Sequence, residues 1–293
     1  MKHIRIVSPS GAIDREYIEG AKQRLLSWGY AVSVGQHAYG RWGRFSGTDE
    51  ERLEDLNEAI ADPAVDVVLC SRGGYGLQRI IDRVEGEKMI VGFSDITELH
   101  QRMHCPTLHA IMCKHIATLP EDSEPMVRLR EALEDKPLHY TVPAHPLNRY
   151  GEAEGVLMGG NLSVLYGLQA TPYALPSLHP AGTSPFEGGL KGVLFIEDIA
   201  ERHYHIDRMM QNLRLSGVLA GLSGLVVGQF SDCDEDPGMD ESIYDTILRA
   251  VKDYDYPVLF DFPAGHVERN LPLWMGKNVK ICVSEQKNEL LFA

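Results

Sequence analysis

Three places in the chain put reactive side chains where a strand gives way to a turn. The first is Ser94, in Met89-Ile-Val-Gly-Phe-Ser-Asp-Ile-Thr97. A serine hydroxyl becomes a nucleophile only when a base takes its proton and a third group orients that base. Gly92-Phe93-Ser94 supplies half of a GxSxG elbow, and Ile96 stands where the second glycine belongs, so the local sequence favours a helix-capping serine over a nucleophile. The second place is Glu197-Asp198, two adjacent carboxylates directly after the apolar run Val193-Leu-Phe-Ile196. A buried carboxylate must be hydrogen-bonded or open to a cleft. Glu197 could hold a histidine in one tautomer, and either acid could instead favour the start of the next helix. The third is Ser71-Arg72-Gly73-Gly74-Tyr75-Gly76. Its glycines allow sharp turning and exposed N–H groups suited to an anion, although a tight turn with positive φ explains them equally well. The loop lacks the Gly-Lys-Ser/Thr ending of a phosphate loop.

A base would have to come from twelve histidines. His3 is terminal, His37 and His179 fall in loops, and His145 lies in a polar connecting stretch. His203 and His205 flank a tyrosine at a helix start with no third ligand spaced to join them, which argues against a metal site. His266 differs: it sits in Phe262-Pro-Ala-Gly-His266-Val-Glu-Arg-Asn270, a glycine-containing loop after the apolar Pro257-Val-Leu-Phe-Asp-Phe262. Strand-end loops are where an imidazole is usefully presented. Position alone does not decide its role.

The elements that must hold these residues read clearly in the first half. His3–Gly11 reads as a strand followed by a turn, and Asp14–Trp28 as a helix with Ile18, Ala21 and Leu25 on one face and Gly29 after its end. A strand at Tyr30–Gly35 comes next, then a helix capped by Thr48 with Glu51 three residues on. Val65–Ser71 is almost wholly apolar, as expected of a strand covered on both faces. Leu77, Ile80, Ile81 and Val84 predict another helix, and Lys88–Phe93 another strand. This alternation implies a parallel sheet whose ligands bind beyond the carboxyl ends of its strands. The Pro- and Gly-punctuated stretch 141–155 is the expected linker. It divides an N-terminal α/β domain, residues 1–145, from a more β-rich C-terminal domain, residues 155–293. Residues 171–189 read as a long irregular loop.

Composition excludes several classes. The chain has 293 residues, 42 acidic against 28 basic, a formal net charge of -14, and 44% hydrophobic residues. That charge argues against nucleic acid as a partner. No apolar run approaches the roughly 20 residues that span a bilayer, and the N-terminus does not read as a signal peptide. Five scattered cysteines, with no CxxC pair, point to reduced thiols in the cytoplasm. Cys70 and Cys282 read as small buried residues.

The chain resembles the LD-carboxypeptidase family of serine peptidases, which includes muramoyltetrapeptide carboxypeptidases and microcin C self-immunity peptidases. The resemblance runs nearly end to end. It rests on an ordered set: Gly43-Arg-Phe-Ser-Gly-Thr-Asp-Glu-Glu-Arg52, Arg72-Gly-Gly-Tyr-Gly76, Gly92-Phe-Ser-Asp-Ile-Thr97, Gly159-Gly-Asn-Leu-Ser163, Ile196-Glu-Asp198 with Asp207-Arg-Met209, and Gly265-His266 with Asn270. It implies an α/β fold with an N-terminal parallel-sheet domain, a C-terminal β-rich domain and an active site between them. It also implies a catalytic triad of Ser94, Glu197 and His266, with an oxyanion hole from the backbone N–H groups of Asp95 and Gly74. Arg72, Gly73 and Asn161 are the expected substrate contacts. The implied substrate is a murein tetrapeptide cut before its terminal D-alanine, in a cytoplasmic homodimer needing neither cofactor nor metal. A microcin-type peptidase acting on an aminoacyl-nucleotide-like toxin is the neighbouring alternative, and a non-catalytic ligand-binding protein is the alternative of another class. An aromatic platform for a base would favour the microcin type; the 171–189 loop offers Tyr173 and Phe186 but no tryptophan. Thr107-Leu-His-Ala-Ile-Met112 departs from the His-Gly-Pro-Met of relatives, so Ala110 and Ile111 are expected to reshape a pocket wall.

Overall fold

The computed structural model describes residues 1–176 and 191–292. His179 and Phe186, and most of the expected loop at 171–189, lie outside the described residues. The chain divides into two compact units, Met1–Leu133 with Asn270–Trp274, and Glu134–Arg269 with Met275–Ala293.

The first unit is built on strands β1 (His3–Val7), β2 (Ala31–Val34), β3 (Val67–Cys70), β4 (Met89–Gly92) and β5 (Thr107–His109). Between them run helices α1 (Arg15–Ser27), α2 (Asp49–Ala61) and α3 (Thr97–Arg102), with α4 (Cys113–Thr118) and α5 (Glu124–Leu133) after β5. Helix α1 buries Ile18, Ala21 and Leu25, the face its spacing predicts. Helix α2 opens with a complete capping box between Thr48 and Glu51, which satisfies two of the N–H groups a helix start leaves unpaired. The strands run β5-β4-β3-β1-β2, with the late strand Leu273–Met275 at the β5 edge; the pairs β1–β2, β1–β3, β3–β4 and β4–β5 are all parallel. The chain leaves β1 toward β2 on one side and returns to β3 on the other. A reversal of this kind leaves a crevice at the carboxyl ends of the two strands it separates, here β1 and β3.

The expected helix over Leu77–Val84 is instead two short 3-10 turns, Leu77–Arg79 and Ile81–Arg83. The bonds from Ile80 N–H to the Leu77 carbonyl at 2.8 Å and from Arg83 N–H to the Ile80 carbonyl at 2.9 Å span three residues. Apolar residues at 77, 80, 81 and 84 satisfy a three-residue repeat as well as a four-residue one, and all four are buried.

The second unit carries a seven-stranded mixed sheet. In chain order its strands are β6 (His139–Val142), β7 (Gly151–Asn161), β8 (Gly192–Ile199), β9 (Leu222–Ser231), β10 (Val258–Leu259), β12 (Asn278–Val283) and β13 (Asn288–Phe292), counting Leu273–Met275 as β11. They are arranged β10-β9-β8-β7-β12-β13-β6. Pairs β7–β8, β8–β9 and β9–β10 are parallel, whereas β7–β12, β12–β13 and β13–β6 are antiparallel. Helices α6 (Leu162–Gly167), α7 (His203–Leu215) and α8 (Ile243–Ala250) pack on it through a core that includes Leu165, Leu194, Ile206, Met210, Leu225 and Ile247. The fold class expected from the sequence, a parallel-sheet α/β region followed by a second, strand-rich region, is the fold observed.

Much of the stretch read as a linker is strand: Thr141 and Val142 belong to β6, and β7 starts at Gly151. Its prolines, Pro143 and Pro146, lie in the connection between β6 and β7, whereas Gly151 and Gly155 lie within β7, in register with Val283 and Val279 of β12. Cys70 is fully buried, but Cys282 is partly exposed beside Glu152, because alternate residues of β12 face outward.

Candidate functional site

In the first unit, Ser94 comes directly after β4 and its flanking Phe93, with φ of 68°. Non-glycine residues adopt this left-handed conformation rarely and at some energetic cost, and they concentrate where a side chain has a task. Ser94 occupies neither N-cap position here: the N-cap is Phe93 for the 3-10 turn Ser94–Ile96 and Ile96 for α3. The serine therefore sits inside the first turn and not before it, on a corner whose shape its neighbours set.

Those neighbours come from the loop after β3. A Cβ added at Gly73 would lie 2.8 Å from Ser94 Cβ and 3.0 Å from Ser94 Oγ; only glycine lets this loop approach the serine. Gly74 has φ of 111°, a conformation L side chains avoid. The Asp95 carboxylate accepts from Leu77 N–H at 3.1 Å, tying the corner to the far end of the same loop. From the β1 side, Gly11 N–H donates to the Gly73 carbonyl at 3.0 Å, and the Ser8 and Ser71 hydroxyls lie 2.6 Å apart. The crevice between β1 and β3 is thus walled by the residues around Ser94. Burial pushes the Asp95 carboxyl above its usual range, and burial followed by the nearby Asp95 charge lifts Glu98 to about 8. Ala110 and Ile111, where the sequence departs from its relatives, are both fully buried, and Ala110 N–H bonds the Gly92 carbonyl at 3.2 Å.

In the second unit, the Glu197 carboxylate accepts from His266 Nδ1 at 2.7 Å. Glu197 is fully buried near the end of β8, in register with Asn161 of β7. Opposite it the β8–β9 register slips, so that Ile196 faces Val227 and Asp198 faces Phe230. Glu197 therefore stands against two residues, Gly228 and Gln229, a bulge of the kind that re-aims a side chain.

Two glycines make room for the pair. A Cβ at Gly228 would lie 2.5 Å from the Ala264 carbonyl oxygen, and one at Gly265, where φ is 132°, would lie 3.0 Å from Glu197 Oε2. Gln229 then pins the histidine loop to β9: its N–H bonds the Ala264 carbonyl at 2.9 Å, and its side-chain amide donates to Asp261 at 2.9 Å. With Nδ1–H donated to the carboxylate, the neutral ring carries its lone pair on Nε2, where a general base needs it. Burial depresses the His266 pKa, but the hydrogen bond and charge of Glu197, with the charge of Asp198, outweigh it, and the net shift is upward.

Sequence reasoning left Asp198 without a definite part. It is buried and accepts from Asn161 Nδ2 at 3.0 Å and from Ser163 N–H at 2.8 Å. Burial, then the Glu197 charge, raises it to about 7. Asn161, also buried, caps α6 by accepting from Val164 N–H. Neither acid caps α7, whose N-cap is Arg202 with no side-chain bond. The useful signal was Gly228 inside an apolar strand pattern, which marks a bulge or a close backbone approach. His203 is buried against Thr246 at 2.8 Å, and His205 pairs with Glu201 at 2.9 Å. Among the described residues, no three His, Cys, Asp or Glu side chains gather as a metal site, and no helix is long and apolar enough to cross a membrane.

Comparison with known proteins identifies this architecture. The LD-carboxypeptidase N-terminal domain matches residues 4–111, and the LD-carboxypeptidase C-terminal domain matches residues 154–281. The chain belongs to the LD-carboxypeptidase family. As a member, it is a hydrolase of the carboxypeptidase class. A Streptomyces coelicolor protein named as a carboxypeptidase is 34% identical over 93% of this LD-carboxypeptidase and 88% of its own length. The murein tetrapeptide carboxypeptidase of Pseudomonas aeruginosa is 28% identical over 94% of this chain and 91% of its own. The crystal structure of muramoyltetrapeptide carboxypeptidase from Oxalobacter formigenes superimposes with a TM-score of 0.86 at 25% identity, covering 100% of this chain and 99% of that one. MccF in complex with glutamyl sulfamoyl guanosine shares the fold, with a TM-score of 0.82 at 19% identity over 100% of this chain and 96% of that one.

Proposed function

We propose that this LD-carboxypeptidase removes the terminal D-alanine from murein tetrapeptides by a Ser94–His266–Glu197 triad. The observation that carries the reading is the 2.7 Å bond from His266 Nδ1 to a fully buried Glu197; the left-handed backbone at Ser94 supports it from the other unit.

In this reading His266 Nε2 takes the Ser94 proton as Oγ attacks the carbonyl of the L-to-D peptide bond. Glu197 fixes the ring and stabilises the imidazolium. The N–H groups of Asp95 and Gly74 face the developing oxyanion; loss of one such donor raises a barrier by roughly 3 kcal/mol. The imidazolium returns its proton to the departing amine, D-alanine leaves, and water activated by the same histidine frees the acyl group from Ser94. Arg72, Gly73 and Asn161 contact polar groups of the peptide, Asn161 with its amide already engaged by Asp198. Each unit contributes one part of the machinery, the N-terminal domain the nucleophile and the C-terminal domain the Glu–His pair. The enzyme works in the cytoplasm as a homodimer, a placement supported by its five free cysteines and by the family pattern of its motifs.

The second reading, hydrolysis of an aminoacyl-nucleotide-like toxin, is favoured by the fold shared with MccF. One assay separates the two: D-alanine release from a murein tetrapeptide, run beside hydrolysis of an aminoacyl sulfamoyl nucleoside. The proposal expects turnover of the peptide; turnover of the sulfamate alone transfers the assignment to the second reading, and turnover of neither defeats both.

A further inference from the structure

Acidic residues outnumber basic ones 42 to 28 in this chain, so an arginine beside the site that lacks a carboxylate partner is informative. Nearby arginines are paired: Arg41 with Asp14 at 3.2 Å, Arg79 with Asp49 at 2.9 Å and Arg83 with Glu50 at 3.7 Å. Arg44 and Arg72 meet no carboxylate among the described residues. Instead, neutral groups brace them. The Arg44 guanidinium carbon lies 5.8 Å from the centre of the Tyr75 ring, and Arg72 Nη1 donates to the Ala12 carbonyl at 2.7 Å.

Arg72 belongs to the loop that packs on Ser94, and the Arg44 main chain meets that loop across Gly11. A Cβ at Gly11 would lie 3.7 Å from the Arg44 carbonyl oxygen, 3.7 Å from Arg72 Nε and 2.9 Å from the Gly73 carbonyl oxygen, and Gly73 packs on Ser94 itself. Tyr75, 46% exposed, continues into a row of rings, 5.8 Å from Phe45, which stacks 6.0 Å from Trp42. That row holds the Arg44 turn against the glycine loop. Two exposed guanidinium groups, oriented yet unneutralised, are suited to a planar anion that accepts two parallel hydrogen bonds.

A carboxypeptidase must distinguish a chain end from a chain middle, and the chemical difference is a carboxylate. We infer that Arg44 and Arg72 together hold the terminal carboxylate of the residue to be released, and so restrict Ser94 to the last peptide bond. The inference rests on the proposed role of Ser94 and adds to it the group that sets exopeptidase specificity.

The test uses full-length wild type, Arg44→Gln, Arg72→Gln and Arg44→Lys on three synthetic tetrapeptides: the free acid, its C-terminal amide, and the free acid with the internal glutamyl carboxylate amidated. Wild type is expected to favour the free acid over the terminal amide by about 100-fold in kcat/KM. Each Gln variant is expected to shrink that ratio about tenfold or more, chiefly through KM, with Arg44→Lys intermediate. An unchanged ratio in both Gln variants, or a wild type indifferent to the terminal amide, overturns the inference while the peptidase reading stands. Sensitivity transferred to the internal amide moves the two arginines to the other carboxylate and also overturns it. A wild type that cleaves none of the three peptides overturns the peptidase reading and this inference with it.

Discussion

Gly265 sits against Glu197 so closely that a single methyl group would disturb the acid–histidine pair: its Cβ would lie 3.0 Å from Oε2 and 3.1 Å from Glu197 Cβ. The residue before the candidate base therefore has two reasons to be glycine, its φ of 132° and the space its missing side chain leaves for the carboxylate. Gly265→Ala should lower stability by about 1–3 kcal/mol and reduce kcat by at least tenfold. Denaturant unfolding and steady-state kinetics measure the two effects. A variant with native stability and native kcat would show that the pair tolerates the displacement.

Gly73 makes the corresponding contact in the first unit. Its replacement by alanine would place a methyl group 2.8 Å from Ser94 Cβ and 3.0 Å from Phe93 O. Because the loop also carries the Gly74 N–H, the expected loss falls on kcat, by about 10²-fold, the order of removing an oxyanion donor. Melting temperature should also fall by a few degrees, because Gly73 is buried and the added methyl meets Ser94 Cβ and the Phe93 carbonyl. A large drop in melting temperature with kcat preserved would assign Gly73 a folding role instead.

The pH dependence of activity follows from the raised His266 pKa. A general base must be unprotonated, so kcat/KM should rise with pH along an acid limb above the ordinary histidine value of about 6.5. Glu197→Gln removes the charge that lifts this pKa; the acid limb should move to lower pH while kcat falls by about 10²–10⁴-fold. The direction of the limb separates charge from bulk structure. A limb that stays in place in Glu197→Gln contradicts the assigned pairing.

Stability should depend on pH through two other buried acids. Glu98 is raised to about 8 and Asp198 to about 7. Between their unfolded values and these folded ones, the native state binds more protons than the unfolded chain. The unfolding free energy therefore falls as pH rises from about 4 to 8, by on the order of a few kcal/mol. Glu98→Gln cannot ionise and should flatten the upper part of that slope. Urea unfolding across this range tests it, and equal slopes in wild type and variant would show that Glu98 does not titrate as its burial implies.

The fold was legible wherever local rules and global packing agree. The buried face of α1, the Thr48–Glu51 capping box and the apolar run of β3 all follow from spacing and side-chain type. The turns at Leu77–Arg83 were misread because one apolar pattern serves two helix types. For the candidate site, the sequence singled out Glu197 and His266, but their meeting depends on a slipped register at β8–β9 and on Gly228, which no residue near either one announces. Ser94 was ambiguous for a related reason. Serine at a strand-to-helix corner is a good cap, and only its positive φ and its place one residue past the N-cap Phe93 set it apart. The division of labour between Glu197 and Asp198 stayed open because adjacent acids look alike in a sequence, and their strand directs one to a histidine and the other to Asn161 and Ser163.

The members of the proposed triad would act on one step, so their losses should not add. His266→Ala should be nearly as damaging as Ser94→Ala, and the double variant scarcely worse than either. Single-turnover rates of D-alanine release give the comparison, and multiplicative losses would place the two side chains in separate steps.

The most direct measurement is the rate of D-alanine release from murein tetrapeptide by wild type and by Ser94→Ala, each with its circular dichroism spectrum. The account predicts equal spectra and a fall in kcat of about 10⁴-fold or more, as when the nucleophile of a serine hydrolase is removed. A folded Ser94→Ala protein that releases D-alanine at the wild-type rate contradicts it.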